Sequence, residues 1–161
     1  MGVIFVLLVI ALAIAGLALG AAVAIRAGRR ALAAELIGEI AETLNLLETH
    51  DVERLLAEFG ADGRLAPSLP LLPTVSYRTD APHLALLGAH LARLSAGFYA
   101  SAEALQDELR TLTSEANGAG RAERVHYASE DLRRTFELGD EALRSLRDIV
   151  SGRRHDLISR A

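Results

Sequence analysis

Residues 84–112 read LALLGAHLARLSAGFYASAEALQDELRTL, and residues 122–150 read AERVHYASEDLRRTFELGDEALRSLRDIV. The first stretch carries apolar positions at Leu84, Leu87, Leu91, Leu94, Phe98, Ala102, Leu105, Leu109 and Leu112. The second carries Ala122, Val125, Ala128, Leu132, Phe136, Gly139, Leu143, Leu146 and Val150. Steps of three and four keep each set on one face of an α-helix, as a heptad seam with one stutter. In an antiparallel hairpin the numbers of facing residues have a constant total. Phe98 with Phe136, Ala102 with Leu132, Leu91 with Leu143, Leu109 with Val125, Leu112 with Ala122 and Leu84 with Val150 all total 234. Half of that total, 117, falls on Asn117 in the helix-breaking Asn117-Gly118-Ala119-Gly120. The two stutters also fall opposite each other. This agreement predicts an all-α bundle built on a long antiparallel hairpin, about residues 81–116 and 121–157. Thr79-Asp80-Ala81-Pro82 supplies the start, a capping side chain followed by Pro, and Gly88 loosens the first turns.

Upstream, Leu32, Leu36, Ile37, Ile40, Leu44 and Leu47 form one helical face, with Glu35, Glu39, Glu42 and Glu48 mostly elsewhere. This helix is expected to pack on the hairpin as a third member. Thr49-His50-Asp51 offers an N-cap for a short helix over 52–59, ended by Gly60. Residues 60–79 hold Pro67, Pro70 and Pro73, yet Leu65, Leu69, Leu71, Leu72, Val75 and Tyr77 are too apolar for a solvated linker. They are expected to form a strap packed across the helices, not a boundary between two domains.

The N-terminus has a different character. Residues 2–25 contain no charged residue and no polar side chain, and 14 of them are Leu, Ile, Val or Phe. At about 1.5 Å per residue such a segment spans roughly 36 Å of helix, against a hydrocarbon core of roughly 30 Å. The sequence therefore predicts a transmembrane helix over 1–25 and a helical domain over 26–161. No proline separates the two, so the helix is expected to continue to about Glu48, with Gly28 its one weak point. A cleaved leader is disfavoured, because no basic residue precedes the apolar run. Arg26, Arg29 and Arg30 follow it instead, and the positive-inside rule makes them topology determinants. They predict an inner-membrane, single-pass protein with its N-terminus out and residues 26–161 in the cytoplasm. Gly16, Gly20, Ala24 and Gly28 recur every fourth residue, a smooth stripe on which a second copy or another protein's helix could lie close.

Composition removes several chemistries. There is no cysteine, and so no disulfide framework, thiolate metal site or cysteine nucleophile. All 17 basic residues are arginine, and the net charge of -4 opposes a general nucleic-acid binder. No phosphate-binding glycine loop, nucleophile elbow or zinc-protease sequence occurs. His83 and His90 lie seven apart, too far along a helix to share an ion, and His50, His126 and His155 are in other segments. Ser76, Asp80 and His83 have the residue types of a hydrolase triad, but Asp80 reads better as a cap. Glu35, Glu39, Glu42 and Glu103, Asp107, Glu108 read as solvated faces, because the Glu-x-x-His pattern of two-metal bundles is absent. Arg153, Arg154, His155 and Arg160 suit either an anionic lipid surface or the C-terminal end of a helix dipole.

The string from Glu39 to Glu48, EIAETLNLLE, precedes the proline-bearing stretch. Pro73-Thr74-Val75-Ser76-Tyr77, Leu87-Gly88-Ala89-His90-Leu91 and Phe98-Tyr99-Ala100 follow it. Over residues 35–115 this resembles small prokaryotic single-pass membrane proteins with a helical cytoplasmic domain. The resemblance implies a tethered helical module and no particular activity. The expected function is a membrane-anchored interaction or scaffold module, with no cofactor and no catalysis of its own. Its partners would be the bilayer and a protein or second copy. The alternative is an accessory or regulatory subunit of a membrane enzyme or transporter, acting through the apolar helix.

Overall fold

The computed structural model describes residues 2–62, 72, 81–114 and 120–152, with side chains from residue 13 onward except at 62 and 114. The described residues are all helical apart from short connections, and none is in a strand. Helix α1 runs unbroken from Gly2 to Thr49 and α2 from Val52 to Asp62. A 3-10 segment covers Ala81–Leu87, followed by α3, Ala89–Ser114, and α4, Arg121–Ser151. Helix α4 is central: it lies against α3, α1 and α2, while the 3-10 segment lies against α1 and α3.

The contacts between α3 and α4 fix their register. Thr135 Oγ1 lies 3.0 Å from Ser101 Oγ, and Ser101 Oγ donates to the Asp131 carbonyl at 3.1 Å. Gly97 faces Leu138, Gly139 faces Phe98, and His90 faces Glu141. These pairs have number totals from 231 to 237, centred on the 234 of the sequence ladders. The helices are therefore antiparallel, with α3 described to Ser114 and α4 from Arg121. Gly120, with φ 101°, provides the left-handed residue that starts α4, and its carbonyl accepts from the Arg124 amide.

Helix α1 follows the same logic. Leu44 meets Gly139 and Arg30 meets Gly152, totals of 183 and 182, so α1 runs antiparallel to α4. Gly60 of α2 meets Val125, a total of 185. Helix α2 thus continues the line of α1 past a corner at His50 and Asp51, instead of folding back. Asp51 makes that corner in the left-handed region, φ 48°, and its carbonyl starts α2 by accepting from the Leu55 amide. Its carboxylate binds Arg54, at 2.7 Å, in place of a capping amide. The third strand of the bundle is consequently shared between α1 and α2.

The core has two storeys. The lower joins Leu36, Ile40 and Leu44 to Leu84, Leu91, Phe98, Tyr99 and Leu146. The upper joins Leu47, Leu56 and Phe59 to Leu105, Leu109, Leu112 and Leu132. Phe136 packs against both. At this boundary Thr135 and Ser101, both buried, share two hydroxyl protons with the Asp131 carbonyl. The polar contact occupies the facing stutters, where the apolar ladders step by four twice.

Several expectations are corrected. Residues 81–87 are 3-10, not α, because Gly88 adopts φ 93° and closes the segment with its amide on the Ala85 carbonyl. The segment turns toward α1, so Leu84 is buried there while Val150 stays 42% exposed. Ala122, the other end of its ladder, is also exposed. Helix α4 stops at Ser151, not 157, since Gly152 takes φ 71° and bonds back to the Ile149 carbonyl. Gly60 does not end α2, which continues to Asp62 with Val125 against it. Glu39 is buried, not solvated, because it lies on the same stripe as Leu36, Ile40 and Thr43. Of the strap, Leu72 is buried in the upper storey; residues 63–71 and 73–80 lie outside the described residues.

A Cβ at Gly139 would sit 2.9 Å from Leu44 Cδ1 and 3.0 Å from Phe98 Cε2, whereas one at Gly97 would meet Leu138 at 3.5 Å. Gly97→Ala should therefore stabilise the chain by about 0.5–1 kcal/mol through helix propensity. Gly139→Ala should destabilise it, and Gly139→Val more so, since overpacking of about 1–3 kcal/mol outweighs that gain. Chemical denaturation of the three variants checks the order, and equal behaviour of the two alanine variants would contradict the close approach.

Candidate functional site

The feature that sets this chain apart from an ordinary bundle is the unpacked half of α1. Every residue from 13 to 31 is exposed, and burial begins only at Leu32. Ile14, Leu17, Leu19, Val23 and Ile25 are 57–76% exposed. Covering five such side chains is worth on the order of 10 kcal/mol. Gly16, Gly20 and Gly28 have open space around them, with no atom within 4 Å of an added Cβ, and Ala24 is exposed on the same stripe. Among the described residues, no helix is long and apolar enough to cross a membrane. The side chains of residues 2–12, the first part of the apolar run, lie outside them.

The three arginines mark where the free half meets the bundle. Arg29 Nη2 donates to the Leu87 carbonyl at 3.2 Å, at the C-terminal end of the 3-10 segment. Arg30 Nη2 would lie 3.2 Å from a Cβ on Gly152, the residue that caps α4. Both guanidinium groups thus lie at carbonyl ends of helical elements, where the backbone carries partial negative charge. Arg26 is exposed, on the turn nearest the apolar half. Sequence reading treats these residues as charges alone. It misses that Arg29 bonds the bundle and that Arg30 lies against it, because Leu87 and Gly152 lie far away in the chain.

The remaining candidates do not converge. His90 faces Glu141 at 3.9 Å and His126 faces Glu130 at 3.8 Å, all of them exposed. His50 and His83 are exposed in different elements. Ser76, Asp80 and His155 lie outside the described residues. Glu35 and Glu42 are exposed, unlike Glu39, and Asp107 pairs with Arg110 at 3.2 Å. Among the described residues, no group of three His, Asp or Glu side chains could hold a metal ion.

The groups with shifted pKa values lie toward the opposite end. The Tyr127 hydroxyl is held above its ordinary value by its hydrogen bond to Glu123. Burial raises the Asp131 carboxyl, with Arg134 acting against the rise. Arg54 is raised by its bonds to Asp51 and Glu58. Each has a local surface partner or partial burial as its cause, and none adjoins the arginines of the junction.

Arg29→Ala should cost about 1 kcal/mol of stability, from the lost charged hydrogen bond at a helix end. Arg26→Ala should leave stability unchanged. Denaturation of the two variants side by side tests this, and equal losses would contradict the bond to Leu87.

No family model, no curated protein and no solved structure matches the chain.

Proposed function

We propose that the chain is a membrane-anchored helical interaction module with no catalytic activity of its own. In this reading the apolar half of α1 spans the inner membrane, with the N-terminus out and the bundle in the cytoplasm. The observation that carries it is the contrast within one helix. The turns before Arg26 are apolar and uncovered on all sides, and the turns after Arg30 are packed into the core. A helix apolar all round calls for an apolar solvent or a large protein to bury it. The bundle already uses its apolar faces on itself. Arg26, Arg29 and Arg30 at the changeover suit the cytoplasmic side of a bilayer. The bilayer is the first partner, and a protein or a second copy is the other.

A second reading follows from the open stripe at Gly16, Gly20 and Gly28. A neighbouring transmembrane helix seated there would make the chain an accessory or regulatory subunit of a membrane enzyme or transporter.

In a bacterial host the full chain should stay with the membrane through an alkaline carbonate wash, and a chain lacking residues 2–25 should be released. A reporter active only in the periplasm, fused after Ala161, should be silent. Release of the full chain would overturn the anchor, and an active reporter would overturn the orientation. Replacing Gly16 and Gly20 with Ile should abolish association in a membrane two-hybrid assay. An unchanged signal would remove the stripe from the account.

A further inference from the structure

We propose that α2 is an exchange arm: where two copies of the chain pair along α1, α2 of each swings out at Asp51 and seats on α4 of the other. The inference rests on the anchored reading above, since it needs two parallel copies in one bilayer. Its first basis is the build of the corner. Helix α1 ends at Thr49, α2 begins at Val52, and only His50 and Asp51 join them. Among the described residues Asp51 is the one non-glycine with positive φ, at 48°. An L side chain is disfavoured there, and extending the chain at Asp51 releases that strain. Short connections under strain favour exchange between copies.

The second basis is the seat. Val52, Leu56 and Phe59 are the buried side of α2, and they lie in one cluster with Leu105, Leu109 and Leu132. Arg54 pairs with Asp51, at 2.7 Å, and with Glu58, so these ion pairs are internal to the arm and travel with it. Eleven residues are too few for a helix to persist alone in water. The arm therefore needs an α4 to fold on, its own or a neighbour's. An exchanged pair repeats every buried contact of the closed chain, so those contacts favour neither arrangement. The balance passes to the strain at Asp51 and to the effective concentration of copies, which a shared bilayer raises.

The third basis is reach, and it selects a second copy as the occupant. Ala31, Ala34, Gly38, Asn45 and Thr49 are all exposed, and at 100° per residue they fall on the face of Gly20. The open face of α1 thus runs past the apolar half, up to the corner itself. Two copies that meet along it bring their Thr49 ends side by side. Packed helix axes lie about 8–10 Å apart, and small residues allow the short end of that range. The three chain steps from Thr49 to Val52 extend to about 10 Å. A corner of this length carries α2 across to the neighbouring α4 when the two α1 helices touch, and not otherwise.

The absence of cysteine makes the test clean. One full chain carries Gly60→Cys, and a second, differently tagged, carries Val125→Cys. A Cβ at Gly60 lies 3.6 Å from Val125 Cγ1, close enough for a disulfide between these positions. The two chains are co-expressed in a bacterial host, and carbonate-washed membranes are oxidised. A covalent heterodimer should form, at least about tenfold above a pair in which Ser151→Cys replaces Val125→Cys. Changing Ala34 and Gly38 to Leu in both chains should abolish it, by holding the α1 helices beyond the reach of the corner. Both sites are exposed, and a Cβ at Gly38 meets nothing within 4 Å. A chain with both cysteines and both leucines should therefore still bridge within itself. If the double-cysteine chain bridges within itself and no heterodimer forms, the exchange is overturned and the anchor stands. A heterodimer that survives the two leucines also overturns it. Chains released by the carbonate wash overturn the anchored reading, and the exchange falls with it.

Discussion

Three helices can converge at Gly139 because no side chain projects from it. Leu44 of α1 and Phe98 of α3 both reach into the space a methyl group would occupy. The contact sets the vertical register of α4 against two partners at once, and other pairs follow from it. Leu138 faces Gly97 one residue away, and the Ser101–Thr135 pair sits a turn higher. Gly152 meets Arg30 at the foot with nearly the same number total as Gly139 and Leu44. Slipping α4 by one residue would drive a side chain into the gap and turn its apolar stripe by about 100°.

Above and below that point the core divides into two storeys, and the division has a cause in the sequence. Each ladder steps by four twice in succession, from Leu94 to Phe98 to Ala102 and from Ala128 to Leu132 to Phe136. The seam drifts there, and small polar residues fill the space between the helices. Ser101 and Thr135 answer each other's hydroxyls and the Asp131 carbonyl, so the polar insertion is satisfied internally. It also discriminates against a shifted register, in which Ser101 and Thr135 would face apolar neighbours.

The hairpin and its register were legible in the sequence because two ladders of nine positions constrain each other. The unbroken run of α1 was legible from the lack of proline. What escaped were features decided by a single backbone angle or by distant contacts. Gly88 and Gly152 both carry positive φ, and a glycine alone does not announce whether a helix passes through it, as Gly60 does, or stops. Leu84 fits the hairpin seam by number, but the turn at Gly88 sends it to α1. Glu39 reads as surface by residue type, while its position on the Leu36–Ile40 stripe buries it. The junction arginines were visible as charge, but their neighbours were not, since the Leu87 carbonyl that Arg29 bonds and the Gly152 backbone beside Arg30 come into reach only once the bundle has folded.

Helix α1 carries one further mechanical consequence. It passes from the free apolar half into the lower storey without a proline, a bulge or a break, through Gly28 and Gly38 alike. A continuous helix is stiff in torsion, so it works as a driveshaft. A twist applied at Leu17 is felt at Leu36, Ile40 and Leu44, which lie against Phe98 and Leu146 in one core. The first place where the backbone can absorb such a turn is the corner at His50 and Asp51, beyond the contact with Gly139. Torque entering at the N-terminal end is therefore delivered to the lower storey before any joint can dissipate it.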